Sequence, residues 1–231
     1  MLWDFHRCDH ISAHLPLVKK LGTSASFFYF ESGNRVDEHA AKFTKTVGDL
    51  MPQQAGGNHR LAVDKIGLTG ARALEKLGVE IHDGQEVCEL ARVIKGPDEI
   101  KAMRCAMHSC EASITAMRKV LYAGQSENDI WSVLHAENVR RGGEWIKTRI
   151  LNSGPRTNPW FKQSGPRIIQ NGESLAFGTD LIGVYGVCVD ISRTWICGNH
   201  APTDKQKHLY RGCLRPYYGQ CRNAQTGNKI Y

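Results

Sequence analysis

The chain has 231 residues, of which 41% are hydrophobic and 23% charged, and a formal net charge of +7. This length accommodates one large or two modest domains with a real core, and the composition is that of a globular chain. No apolar run approaches the roughly 18 residues that span a bilayer, and His, Arg and Asp interrupt the start of the sequence. We therefore expect a soluble, cytoplasmic protein with no membrane partner.

The positive charge is concentrated in residues 200–231, where six Lys or Arg face one Asp and account for five of the seven charges. The rest of the chain is too weakly charged for an electrostatic footprint on nucleic acid, so we expect no nucleic-acid partner. The eight cysteines form no CxxC pair and lie mostly in apolar segments. This distribution favours reduced thiols over disulfides.

Residues 1–94 alternate strand-like and helix-like segments. The predicted strands are 2–5, 26–30, 59–66 and 79–84, and the predicted helices between them are 36–51 and 69–77. An alternation of this kind predicts a small α/β layer.

Two helices are predicted after Lys95. The first starts at the Gly-Pro-Asp-Glu sequence of residues 96–99, since proline and acidic residues favour the first turn of a helix. Apolar residues then recur at helical spacing and predict a buried stripe: Ile100, Met103, Met107, Cys110, Ile114, Met117 and Leu121. The second helix starts at Ser126, with Asp129 completing a capping-box-like pair, and ends before Gly142.

Beyond Gly143 the sequence predicts strands and turns. The tetrapeptide SGPR occurs at residues 153–156 and again at 164–167, and it is too short to indicate a structural repeat, so we interpret both copies as turns. Residues 200–231 show no sustained period and predict an irregular, aberrant tail.

The segment FGTDLIGVYGVCVDISRTW, residues 177–195, places Asp180 and Asp190 on two apolar runs. The glycines between them allow the chain to fold back as a hairpin that brings the two acids together. Two carboxylates in a buried sheet repel each other unless one takes a proton or a cation lies between them. The alternative is that Asp180 caps a turn and Asp190 pairs with Arg193.

Several longer stretches match a known family: RLAVDK, RVIKGPDEIKAMRCA, SENDIWSVLHAENVRRGGEWIKTRIL, SGPRTNPWF and TDLIGVYGVCVDISRTW. On these, the chain resembles the creatinase/aminopeptidase P superfamily, peptidase family M24, and within it the branch that cleaves dimethylsulfoniopropionate. The resemblance implies an α/β (α+β) fold, with a partial creatinase-like N-terminal domain over 1–94 and the first half of a pita-bread domain over 95–199.

The resemblance also implies a metal centre of iron, zinc or manganese with Asp180 and Asp190 as ligands, a small-molecule substrate and a homodimer in the complete family member. This sequence has FGTD where the lyases have FDTD, so Gly178 replaces a carboxylate. The family's other ligands, a His and two Glu, come from a C-terminal half that this chain does not contain. We therefore expect a fragment with an incomplete metal site and no turnover, and no general base is assignable.

In place of the His that peptidases of the superfamily carry near this turn, the chain has TNPWF, which favours the lyase branch. The indole face of Trp160 is suited to hold a sulfonium cation, and the alternative is that Trp160 only packs.

Three functions follow from these observations. The first is a metal-dependent lyase that converts dimethylsulfoniopropionate to dimethyl sulfide and acrylate by β-elimination. The second is an Xaa-Pro aminopeptidase or creatinase-like metallohydrolase. The third is a non-catalytic fragment that serves as a binding or dimerising module.

Overall fold

A computed structural model describes residues 2–4 and 13–225 of the chain. These residues form two compact units, Met1–Lys95 and Gly96–Tyr231. Each unit contains its own strands and helices.

The first unit has two pairs of parallel strands and four helices. The strands are β1 (Leu2–Asp4) with β2 (Leu21–Thr23), and β3 (Arg60–Val63) with β4 (Glu80–Asp83). The helices are α1 (Tyr29–Ser32), α2 (Val36–Ala55), α3 (Leu68–Glu75) and α4 (Gln85–Val93). Helix α3 connects β3 to β4, as the connection between parallel strands requires.

Most elements predicted for this unit are present, but residues 26–30 do not form a strand. Instead α1 begins at Tyr29, and the Ser32 hydroxyl donates to the Ser26 carbonyl at 2.6 Å. The Phe27 ring lies 4.9 Å from the ring of Phe43 on α2. The aromatic residues of this run therefore pack against a helix. The prediction of a strand from their apolar character was wrong.

Both helices predicted at the start of the second unit are confirmed. They are α5 (Pro97–Lys119) and α6 (Glu127–Arg140), and the Ser126 side chain accepts a hydrogen bond from the Asp129 backbone as a capping box requires. The predicted apolar stripe of α5 is only partly correct. Cys110, Met117 and their neighbours are buried, whereas Ile100, Met103 and Met107 are exposed, because the buried face of α5 starts at Ala106 and continues through Cys110, not through Met107.

Two antiparallel sheets of three strands pack against these helices. Their strands are β5 (Trp145–Ile146), β6 (Leu151–Ser153), β7 (Ser174–Gly178), β8 (Leu181–Ile182), β9 (Cys188–Val189) and β10 (Ser192–Ile196). One sheet has the order β10-β7-β6 and the other β5-β8-β9. The core between sheets and helices includes fully buried Leu134, Leu175, Phe177 and Leu181.

The predicted irregular tail is wrong for residues 204–225, which form helix α7 (Asp204–Gln225). Its start is capped by Thr203 and Gln206: the Thr203 amide donates to the Gln206 side chain at 2.8 Å, and the Gln206 amide donates to the Thr203 hydroxyl at 3.2 Å. The pattern Thr-x-x-Gln is a capping-box signature, and it was the signal for this helix. Among the described residues, no helix has the length and apolarity to cross a membrane.

Replacing Leu134 tests the position of the core. Leu134 is fully buried on α6, so Leu134→Ala is expected to lower the free energy of unfolding by about 2–5 kcal/mol through lost contacts and a residual cavity. Val139→Ala on the same helix is the control, because Val139 is 52% exposed and its truncation is expected to change stability by less than about 0.5 kcal/mol. Chemical denaturation measures both, and equal losses would contradict the assignment of the core.

Candidate metal centre

The two aspartates lie opposite each other on one bent hairpin. Strand β7 pairs with β10 so that Gly178 faces Ser192, and β8 pairs with β9 so that Leu181 faces Val189. The same register therefore continues through the bend between the two sheets. In that register Asp180 and Asp190 are the facing residues, as the glycines of the turn predicted.

Thr179 holds the bend together from inside. Its buried hydroxyl donates to the Val189 carbonyl at 3.1 Å and accepts from the Ile191 amide at 2.8 Å. The thiol of Cys110 on α5 lies 3.7 Å from the same hydroxyl, and burial raises the pKa of this thiol to about 11. The side chain of Thr179 thus bonds to backbone groups on both sides of Asp190.

Both aspartates lie at the bend between the two sheets. The sequence predicted that they are buried, but neither is fully buried. Asp180 is half-buried, has a left-handed backbone with φ of 40°, and accepts a 2.7 Å hydrogen bond from the Thr148 hydroxyl. Asp190 is exposed, and its Oδ1 accepts from the Asp180 amide at 3.5 Å. The bend of the hairpin is accessible to solvent, which explains why the aspartates are less buried than predicted.

The alternative pairing of Asp190 with Arg193 is not present. The Arg193 guanidinium donates to the Ser192 carbonyl at 2.9 Å, and within residues 2–4 and 13–225 it forms no ion pair with a carboxylate. The carboxylate of Asp190 is therefore available to another cation.

Gly178 faces this carboxylate. A β-carbon placed on Gly178 would lie 3.5 Å from Asp190 Oδ1 and 3.5 Å from Ser192 Oγ, an ordinary contact distance. The backbone at this position is not left-handed, so a side chain fits without strain. Position 178 is thus a place where one residue change adds or removes a group beside Asp190.

The pair fits a divalent metal ion in the type of its donors, because carboxylate oxygens suit such ions, and the register places the two residues opposite each other. The pair alone does not supply enough ligands for a complete site. Among the described residues, no group of three or more His, Cys, Asp or Glu side chains is placed to hold a metal. Asp180 and Asp190 therefore amount to part of a site.

A fully buried carboxylate, Glu127 at the start of α6, was missed by the sequence analysis. Glu127 is fully buried and accepts hydrogen bonds from the amide and hydroxyl of Ser153, both at 2.9 Å, and from the Gly165 amide at 3.1 Å. Its Oε1 also lies 3.5 Å from Nε of Arg156. The donors belong to both SGPR turns, so a single carboxylate holds the two copies together.

The neighbouring contacts strengthen this clamp. The Ser164 hydroxyl donates to Oδ1 of Asn128 at 2.9 Å, and Arg167 donates to the Ser153 hydroxyl at 2.7 Å. Arg167 also binds both carboxylate oxygens of Glu173 and holds the pKa of that carboxyl below its usual value. The duplicated tetrapeptide was the available signal: two identical turns can offer donors to one acceptor.

Trp160 lies on the loop between the two clamped turns. Its side chain is 38% exposed and meets the Phe161 ring edge-on at 6.3 Å. It lines a cavity of about 900 Å³ between the β10 edge and α7. Ser192 also lines this cavity, and its hydroxyl lies beside Gly178, as Asp190 does. One residue that lines the cavity, Ser192, is therefore a neighbour of Asp190.

Comparison with known proteins places this geometry in a family. Residues 101–229 match the model of metallopeptidase family M24, and this range contains the aspartate pair, both SGPR turns and all of α7. The chain belongs to metallopeptidase family M24.

Two curated relatives are considerably more similar than the solved structures. The chain is 55% identical over 207 residues to dimethylsulfoniopropionate lyase DddP of Roseovarius nubinhibens, and 51% identical over 207 residues to the protein of the same name from Roseobacter denitrificans. Each match covers 87% of this chain and 46% of the relative. The chain thus spans about half the length of the curated relatives it matches.

Among solved structures, the Xaa-Pro dipeptidase from Bacillus anthracis matches with a TM-score of 0.70 and 19% identity, over 90% of this chain and 54% of that one. The prolidase from Pyrococcus furiosus matches with a TM-score of 0.61 and 18% identity, over 74% and 49%. The predicted α/β fold of the M24 family is confirmed over the parts that these matches cover.

Removing the carboxylate of Glu127 tests the clamp. Glu127→Ala leaves buried donors of Ser153 and Gly165 and the Arg156 guanidinium without their partner, so the free energy of unfolding is expected to fall by about 3–5 kcal/mol. Thermal and denaturant unfolding give the measurement. Glu111→Ala, at an exposed position of α5, is the control and should change stability by less than about 0.5 kcal/mol. A loss no larger than that of the control would show that the clamp contributes little.

Proposed function

We propose that this chain carries part of the active site of an M24-family lyase that cleaves dimethylsulfoniopropionate to dimethyl sulfide and acrylate. The observation that supports this most is the 55% and 51% identity to relatives named as dimethylsulfoniopropionate lyases. The aspartate pair and the Trp160 loop both lie in the matched family range.

Asp180 and Asp190 are the proposed metal ligands of this chain. When bound, a divalent ion supplies Lewis acidity that stabilises the negative charge developing as a proton is removed next to the substrate carboxylate. Thr148 orients the Asp180 carboxylate through its 2.7 Å hydrogen bond, and the continuous register keeps Asp190 opposite. Iron, zinc and manganese all accept such oxygen ligands, so the chain favours none of them.

Trp160 is the proposed contact for the sulfonium group, through its indole face. A cation over an indole contributes about 0.5–2 kcal/mol, more when water is excluded. The partly exposed ring in the lining of the cavity is accessible to such a group. The homodimer expected for the complete family member stays a prediction.

The hydrolase function has less support. The solved peptidases are 17–22% identical to this chain, and at that level the likeness concerns the fold alone. The third function, a non-catalytic module, is favoured by one observation: the described residues contain only two candidate ligands at the metal centre. Metal binding and substrate choice separate the three functions.

Metal titration tests the role of the aspartates. We expect the purified chain to bind Mn²⁺ weakly, and Asp180→Asn and Asp190→Asn each to lower the affinity at least about tenfold, because each removes a charged ligand. Isothermal titration calorimetry gives the affinities. Asp49→Asn, on exposed α2, is the matched control and should leave the affinity unchanged. Equal affinity in all four proteins would remove the aspartates from the metal centre.

Gly178→Asp extends this titration. The new carboxylate starts from a position 3.5 Å from Asp190 Oδ1, so it adds a third ligand and, without metal, a third negative charge. The variant is expected to bind Mn²⁺ at least about tenfold more tightly than the natural sequence and to gain thermal stability on metal addition. Gly178→Ala adds only the β-carbon and should do neither. Identical behaviour of the two variants would show that position 178 does not face the ion.

Substrate binding tests the function itself. In the presence of Mn²⁺ we expect the chain to bind dimethylsulfoniopropionate, Asp180→Asn to abolish this binding, and Xaa-Pro dipeptides not to bind. Dimethyl sulfide measured in the headspace should stay at background, because two ligands do not complete the centre. Binding of an Xaa-Pro dipeptide in place of dimethylsulfoniopropionate would instead support the hydrolase, and binding of neither compound would support the non-catalytic module.

A further inference from the structure

The cavity beside Trp160 has a charge character that the proposed function does not explain. It lies within the second unit, between the edge strand β10 and helix α7, and its volume of about 900 Å³ is that of a small-molecule site. Arg118, Arg193 and Lys207 contribute cationic side chains to its lining, and no Asp or Glu among the described residues does.

Two of these cations have no carboxylate partner within the part of the chain that the structure describes. Arg193 donates only to the Ser192 carbonyl, and Arg118 donates to the Ile196 carbonyl at 3.3 Å. Lys207, in contrast, pairs with Asp204 at 3.1 Å. The arginines therefore bring positive charge to the cavity that no carboxylate of the described residues neutralises at ion-pair distance.

The walls of the cavity are aromatic and firmly held on one side. The Trp195 ring packs 4.7 Å from the Phe177 ring and lies 5.4 Å from the Arg118 guanidinium carbon, so the indole is held between a core residue and a cation. Trp160 forms a second flat surface. Hydroxyl groups, including that of Ser192, supply further hydrogen-bond donors.

We propose that this cavity binds an organic anion, a carboxylate carried on a flat apolar body. Arg193 and Arg118 bind the carboxylate, because guanidinium groups match its geometry and make charge-assisted hydrogen bonds. Trp160 and Trp195 pack against the apolar body. The site shares Trp160 with the proposed sulfonium contact but takes a ligand of opposite charge, and it does not depend on lyase activity.

Calorimetry with two probes of equal shape tests the charge requirement. The probes are 2-naphthoate and the uncharged 2-naphthamide, and the natural chain is expected to bind the naphthoate roughly tenfold or more tightly. Raising the salt concentration should weaken binding of the naphthoate and not of the amide. Equal affinity for the two probes, or binding of neither, would overturn the proposal.

Variants then locate the site. Arg193→Gln should lower the naphthoate affinity roughly tenfold and leave the naphthamide affinity unchanged, whereas Trp160→Ala should weaken both probes. Arg104→Gln, at an exposed position of α5 outside the cavity, carries the same charge change and should alter neither. Circular dichroism checks the folding of each variant. An unchanged naphthoate affinity in folded Arg193→Gln would overturn the assignment.

Discussion

The second unit depends on one constraint, a single strand register that passes unbroken through the bend between two sheets. Because the facing residues stay matched from Gly178 and Ser192 to Leu181 and Val189, the two aspartates at the bend must oppose each other. Like charges directly opposite each other destabilise a strand pair, and the left-handed backbone of Asp180 adds a cost of order 1–3 kcal/mol. The buried hydrogen bonds of Thr179 and the packed core offset these costs. Unfavourable geometry that is held in place in this way is expected at a functional site.

An unfavourable term is also offset by hydrogen bonds at the start of α6. Glu127 is expensive to bury, yet it accepts from two separate turns and so fixes the loop between them, on which Trp160 lies. Together the Thr179 bend and the Glu127 clamp place the acids and the indole on rigid parts of the unit. Binding groups held on such supports lose little conformational entropy when a ligand binds.

The sequence predicted the features that follow from local rules. Start signals and periodicity located α5 and α6, and the glycines near residue 185 predicted the hairpin that pairs Asp180 with Asp190. The role of Glu127 depends on contacts between residues 26 and 38 positions apart, which no local pattern reveals. The periodicity of the sequence also did not predict which apolar residues are buried. The apolar stripe of α5 is uniform in sequence, but the core begins only at Ala106. Residues 26–30 are apolar enough for a strand, and tertiary packing of Phe27 decided otherwise.

The acid pair and the basic cavity are electrostatic opposites that share a border at Gly178 and Ser192. The position of a β-carbon on Gly178 is equally close to the Asp190 carboxylate and to the Ser192 hydroxyl, which lines the cavity. An acidic side chain there would strengthen a cation site on one side and lower the positive potential on the other. Under the two proposals, the residue at position 178 would therefore set the balance between cation binding at the bend and anion binding beside it, through distance and charge.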